Sequence, residues 1–192
     1  MPVALLLRVF FWLWFGAALA AGHFLVLQRL PAFGVPLVIS GLTALLLLAY
    51  FRLPSIRTWV DALDLRSLIL VHLTRFVGVY FLILFQRGEL PGAFALPAGI
   101  GDLIVATMAL PVAFAPLDAG PRRRAIAIWN VAGLVDILLV VATAVRLNAA
   151  DPTQLRIMTH LPLSLLPTFL VPLIIATHVI IYVRTVPAPT DA

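Results

Sequence analysis

Ser67 to Gln86 reads SLILVHLTRFVGVYFLILFQ. The stretch is long and apolar enough to cross a bilayer as a helix, yet it carries His72, Arg75 and Gln86. On a helix of 3.6 residues per turn those three fall on one face. A cationic side chain inside hydrocarbon costs ~3 kcal/mol on insertion scales, so it turns toward protein or water and takes a partner. Asp102 and Asp136 are the acidic candidates in the other membrane segments. This stretch therefore marks an intramembrane polar site without naming its chemistry.

The whole chain shares its character. Of 192 residues, 63% are hydrophobic and 11% charged, with a mean hydropathy of +1.12. A water-soluble domain of this length cannot hide so much apolar surface. The expected fold is all-α, a polytopic bundle of six transmembrane helices with short interfacial helices, forming a single domain over residues 1–192. Cysteine is absent, which removes disulfides, thiolate metal sites and cysteine nucleophiles. Lysine is absent too, since all 13 basic residues are arginine, so no amine is present for Schiff-base chemistry. The pI of about 11.0 comes without a basic run interleaved with polar or aromatic residues, and nucleic acid is rejected as a partner. Walker loops, Gly-x-Ser-x-Gly elbows and His-Glu-x-x-His pairs are absent as well. No catalytic residue is assigned and no metal site is expected.

Working outward, the first span is read over Met1–Gln28 as a retained helix, because its apolar run lacks a basic leader and is interrupted by Arg8. The second covers Val35–Phe51. Pro54–Arg66 follows, with Ile56, Trp59, Val60 and Leu63 at amphipathic spacing, and is expected to lie along the membrane surface. The third span is Ser67–Gln86. Beyond the turn at Arg87–Gly92, the fourth runs from Leu96 to Ala115 with Pro97 in its first turn. Pro116–Pro121 is read as a turn closed by Arg122, Arg123 and Arg124, and the fifth span as Ala125–Leu147. Asp151-Pro152-Thr153-Gln154 has the order of a helix start, and a short surface helix is expected there, leading to a sixth span over Leu161–Val183 and a polar tail over Pro187–Ala192. His72-Leu73 and Phe81-Leu82 recur as His160-Leu161 and Phe169-Leu170, but four matches in a leucine-rich chain do not establish an inverted repeat.

Six spans put both termini on one side. Seven arginines flank the spans there (Arg52, Arg57, Arg66, Arg122, Arg123, Arg124, Arg184) against four on the other (Arg29, Arg87, Arg146, Arg156). The positive-inside rule then places both termini in the cytoplasm.

Several polar residues sit inside these spans. Asp136 lies near the middle of the fifth, where a carboxylate must be paired, protonated or hydrated. Depth makes it the first choice as partner of Arg75, with Asp102 the second; the plain alternative is a buried ion pair that fixes helix register. Asn130 stands toward the cytoplasmic end of the same span. On the sixth, Ser164, Thr168, His178 and Tyr182 share a face, and Pro162, Pro167 and Pro172 interrupt the segment at five-residue intervals. Such prolines strand carbonyls, so departure from α geometry is expected between Leu163 and Pro172. His72 and His178 each lie roughly 8–9 Å below the cytoplasmic boundary, where two imidazoles could serve one haem iron or quinone, or simply bond across helices. His23 and His160 are expected at the surface.

The patterns Pro97-Ala98-Gly99-Ile100-Gly101-Asp102 and Trp129-Asn130-x-x-Gly133-x-x-Asp136 resemble those of uncharacterised bacterial multi-pass inner-membrane proteins. The resemblance implies a bacterial inner (plasma) membrane and brings no activity with it. Three functional readings stand open at this point. One is a small proton-linked carrier or permease using Arg75, Asp136, Asp102, Asn130, Ser164 and Thr168, with no cofactor. Another is a redox protein holding b-type haem or quinone through His72 and His178. The third is a structural or partner subunit. Membrane lipid, a small-molecule or proton substrate, and a homo-oligomer or membrane partner are the corresponding expected contacts.

Overall fold

The computed structural model describes residues 3–31 and 33–185. Met1 and the tail expected over Pro187–Ala192 lie outside them. The described residues form helices and connecting turns without a strand, and six helical stretches are long and apolar enough to cross a membrane.

Helix α1 spans Val3–His23, and a 3₁₀ turn at Val26–Arg29 leads to α2, Gly34–Arg52. Short α3, Pro54–Asp61, has Pro54 in its first turn. Ile56, Trp59, Val60 and Leu63 are half-buried there while the rest of α3 is exposed, as an interfacial helix requires.

The third span is a composite. Helix α4, Leu65–Leu70, begins at an Asp64 cap whose side chain accepts from the Arg66 amide at 3.0 Å. A 3₁₀ segment over Val71–Val77 carries the span forward, and α5, Gly78–Gln86, completes it. A 3₁₀ run winds about 20° more per residue than an α-helix, so residues beyond it leave the face expected for a continuous helix. Gln86 is accordingly exposed, not aligned with buried His72 and Arg75.

Two boundaries differ from expectation, both because of proline. Helix α6 runs Gly92–Phe114, so Pro97 lies inside it and not in the first turn. It begins early because the Pro91 carbonyl accepts from the amides of Phe94 and Ala95. Helix α7 runs Ala119–Ala150. Pro121 is its third residue, where an N–H has no intrahelical acceptor to lose, and Arg122, Arg123 and Arg124 are helical. After α7, the Asp151 carboxylate accepts from the Thr153 amide at 2.9 Å and its hydroxyl at 2.7 Å. That closes a turn and a 3₁₀ stretch over Arg156–Thr159, not a surface α-helix. The same Thr153 hydroxyl and amide hold the Asp151 carboxyl below its usual range.

The sixth span is broken where its prolines fall. Turns run to Ser164, a π-helical segment occupies Leu166–Leu170, and regular α8 covers only Val171–Thr185. Tyr182 is 50% exposed and leaves the face shared by buried Ser164, Thr168 and His178.

Helix α6 is the hub: the 3₁₀ segment, α5 and α7 all pack on it, and α8 packs on α7 and α2. Helix α1 is peripheral, burying only Ala18 and Gly22. Two apolar cores result. One gathers Ile69, Val105, Ala109, Ile126 and Ile181 near the end where α8 finishes, and the other gathers Phe81, Leu84, Phe94, Ala98 and Leu166 at the opposite end. Asp102 lies between Ala98 and Val105 on α6, so the buried polar residues occupy a layer between the two cores.

Candidate functional site: an ion triad beside an apolar cavity

Arg75 is carried by the 3₁₀ segment and is 1% exposed. Its guanidinium enters between α6 and α7. Nε donates to Asp102 Oδ1 at 2.7 Å, Nη1 donates to the Gly133 carbonyl at 3.0 Å, and Nη2 donates to Asp136 Oδ2. The planar fork thus serves three acceptors on two helices, which a lysine ammonium could not match in geometry. Both aspartates join it, the nearer-depth choice and the second choice alike. With the acids ionised, the triad holds one positive and two negative charges.

Glycines make the approach possible. A Cβ added to Gly78 would lie 2.6 Å from the Gly99 carbonyl oxygen and 2.9 Å from Asp102 Cβ, so α5 and α6 cross backbone to backbone beside Asp102. A Cβ on Gly101 would meet the Asp136 carboxylate itself. Each aspartate follows a glycine by three residues, in Gly99-Ile100-Gly101-Asp102 and in Gly133-Leu134-Val135-Asp136. That spacing was the available sign of Gly133, whose role as an acceptor sequence reading missed.

The histidines form a second cluster. The rings of His72 and His178 have centroids 4.1 Å apart, and Trp129 packs against both. Asn130 belongs here and not to the triad. Its Nδ2 donates to the His178 carbonyl at 3.0 Å, which leaves Oδ1 facing His178 Nδ1 at 2.8 Å. Oδ1 only accepts, so His178 Nδ1 carries the hydrogen. Thr177 spends its hydroxyl hydrogen on the Leu173 or Ile174 carbonyl, so it accepts from His72 Nε2 at 3.3 Å. In neutral rings, His72 Nδ1 and His178 Nε2 are bare lone pairs, and both are buried without a partner. The rings touch, leaving no layer between them for a porphyrin, so they do not fit the expected pair of axial ligands to one haem. Neither lines the cavity described below, so the pair does not face a quinone there. Among the described residues no group of three or more His, Cys, Asp or Glu side chains converges on a metal position.

Ser164 and Thr168 stand apart again. The Thr168 hydroxyl donates to the Ser164 carbonyl at 2.7 Å, a repair within the broken span. Ser164 Oγ packs against Gly22 of α1 and has no hydrogen-bond partner. His160 is exposed and within 3.2 Å of Gln28 Nε2, and His23 is exposed.

Arg75 and Asp102 also line a cavity whose walls are mostly apolar. Leu27 of the α1–α2 connection, Leu155 and Met158 of the α7–α8 connection, and Pro167 of the broken span are other parts of its lining. The first apolar core lies toward the other end of the bundle, where Arg184 donates to the Leu63 carbonyl at 2.9 Å and Tyr50 to Asp61 at 2.9 Å.

Six spanning helices around a buried, charge-bearing polar layer define a polytopic helical membrane protein. The chain belongs to the family described as Domain of unknown function (DUF8737), whose model matches residues 32–186. No curated protein and no solved structure matches it.

Proposed function

We propose that this protein is a small proton-linked carrier of a bacterial inner membrane, with both termini in the cytoplasm. The observation that supports it best is one guanidinium shared by two buried or half-buried carboxylates beside a largely apolar cavity. Ionised, the triad has a surplus negative charge in apolar surroundings, and such a charge is stabilised by taking up one proton or one cation. Arg75 has two partners, so it can release Asp102 while Asp136 and the Gly133 carbonyl still hold it. That is how a bistable site changes state without leaving a buried cation bare. The π-helical segment in the cavity wall supports the reading, since such departures from α geometry recur at functional sites. The orientation rests on the seven-to-four arginine imbalance.

Infrared difference spectra of the purified protein, recorded against pH, test it. Beyond the bands of the six other acidic residues, one protonated-carboxyl band should appear on acidification and be lost in Asp102→Asn and in Asp136→Asn, since either change leaves a single carboxylate balanced by Arg75. A protein with no such band over the pH range in which it stays folded has no proton-binding triad, and the carrier reading falls.

A further inference from the structure

Charge balance around Arg75 also constrains what enters the cavity. Arg75 contributes one positive charge, and Asp102 and Asp136 contribute two negative charges when ionised. Of the two acids only Asp102 lines the cavity, beside Arg75, and the rest of the lining is apolar except Thr74, Asn148 and Thr159. A ligand in the cavity therefore meets the Arg75–Asp102 pair, part of a triad with one negative charge in surplus when both acids are ionised.

Consider the three classes of ligand charge. A neutral ligand leaves the surplus negative charge in place. A monoanion adds to it, so two protons must enter with each anion before the buried charges balance. A monocation balances the site alone, with Asp102 facing the ligand and Arg75 keeping Asp136 and the Gly133 carbonyl. The protonated, empty site and the unprotonated, cation-loaded site then carry the same net charge, and no buried charge is left alone in either.

We infer that the cavity binds a lipophilic monovalent cation, of the protonated-amine or quaternary-onium class, and exchanges it for one proton. The inference rests on the proton-linked reading above and names its substrate class. The cationic head sits at Asp102 and the hydrophobic body fills the chamber between α2, α5, α7 and the broken sixth span. Phe81 and Phe94, packed edge to face with ring centroids 5.6 Å apart, both belong to the apolar wall. Exchange is balanced: the proton leaves the Asp102 carboxyl for water as the cation arrives, and no other group changes charge.

Tetraphenylphosphonium, with tetraphenylborate as its anionic match, is the probe. Equilibrium binding to the full chain in detergent is measured together with proton release in weakly buffered solution. The expected result is saturable binding of the phosphonium, one proton released per cation bound, competition by acid and no competition by the borate. Asp102→Asn should weaken binding about thirtyfold or more, the scale of losing one partner of a buried charge contact. In case that variant does not fold, Ala144→Trp fills the chamber wall two helical turns from Asp136, and should abolish phosphonium binding while leaving the infrared carboxyl band. Absence of phosphonium binding, binding that releases no proton, or binding indifferent to both variants overturns the inference. If the carboxyl band is present and the phosphonium does not bind, the cation assignment alone falls; if both are missing, the proton-linked reading falls with it.

Discussion

The indole Nε1–H of Trp14 donates to the carbonyl oxygen of Thr168 at 2.9 Å. Thr168 lies four residues before Pro172, and a proline offers no N–H to the carbonyl four residues back. The first span thus supplies a donor that the sixth has lost. Trp14 also packs on Phe169, with ring centroids 4.5 Å apart, so ring packing and hydrogen bond can be separated by substitution.

Trp14→Phe keeps the aromatic contact and removes the donor, and should cost about 1 kcal/mol, the usual size of an interhelical hydrogen bond in a membrane protein. Pro172→Ala restores an intrahelical N–H, so the loss should shrink to almost nothing in that background. Thermal unfolding of the four proteins in one detergent reads this directly. Equal losses with and without Pro172 would mean that Trp14 does not serve the broken helix.

Glycine substitutions map how closely the helices approach. Gly78→Ala sets a methyl against the Gly99 carbonyl, 2.6 Å from its oxygen, and backbone cannot step aside as a side chain can. We expect a loss of about 1–3 kcal/mol, the range for overpacking. Gly16 and Gly41 have nothing within 4 Å of the added carbon, and alanine there should be neutral or gain about 0.5–1 kcal/mol from helix propensity. Similar melting shifts at all three positions would refute the tight α5–α6 crossing.

Much of this architecture is legible in the sequence, for physical reasons. Long apolar runs leave few alternatives to spanning helices, and an amphipathic stretch such as Ile56 to Leu63 has one way to lie on a membrane. Prolines are harder to read. Pro97 looks like a helix start and Pro121 like the end of a turn, but α6 begins five residues before the one and α7 two residues before the other, because a proline in the first turn costs a helix little and tertiary packing carries the helix past an interior one. The 3₁₀ winding at Val71–Val77 has no signal in composition, and it is what turns Gln86 out. Partners across helices are the least readable. Asn130 looked like a companion of Arg75, yet relative helix rotation gives it to His178, and Trp14 showed nothing of its bond to Thr168.

Reporter fusions test the orientation. Helix α7 has 32 residues, about 48 Å of helix against a hydrocarbon core of about 30 Å, so its arginine-rich first turns project from the bilayer. Fusions after Arg124 and after Val183 should both report the cytoplasm. An external signal from either would overturn the map.

The triad itself is tested by comparing single and multiple substitutions to leucine. Arg75→Leu leaves two carboxylates in an apolar layer with no cation, and should be the worst single change, on the order of 3–5 kcal/mol. Asp136→Leu should cost least, because its side chain is 23% exposed against 5% for Asp102, and Arg75 still has Asp102 and the Gly133 carbonyl afterwards. Asp102→Leu falls between them. Replacing all three together removes every buried charge at once, so the triple variant should be more stable than Arg75→Leu alone despite carrying two further changes. The readout is melting temperature in one detergent, with all proteins purified alike. If the losses simply add, the three residues are not energetically coupled, Arg75 is not the shared counter-charge of both acids, and the exchange site built on that sharing has no basis.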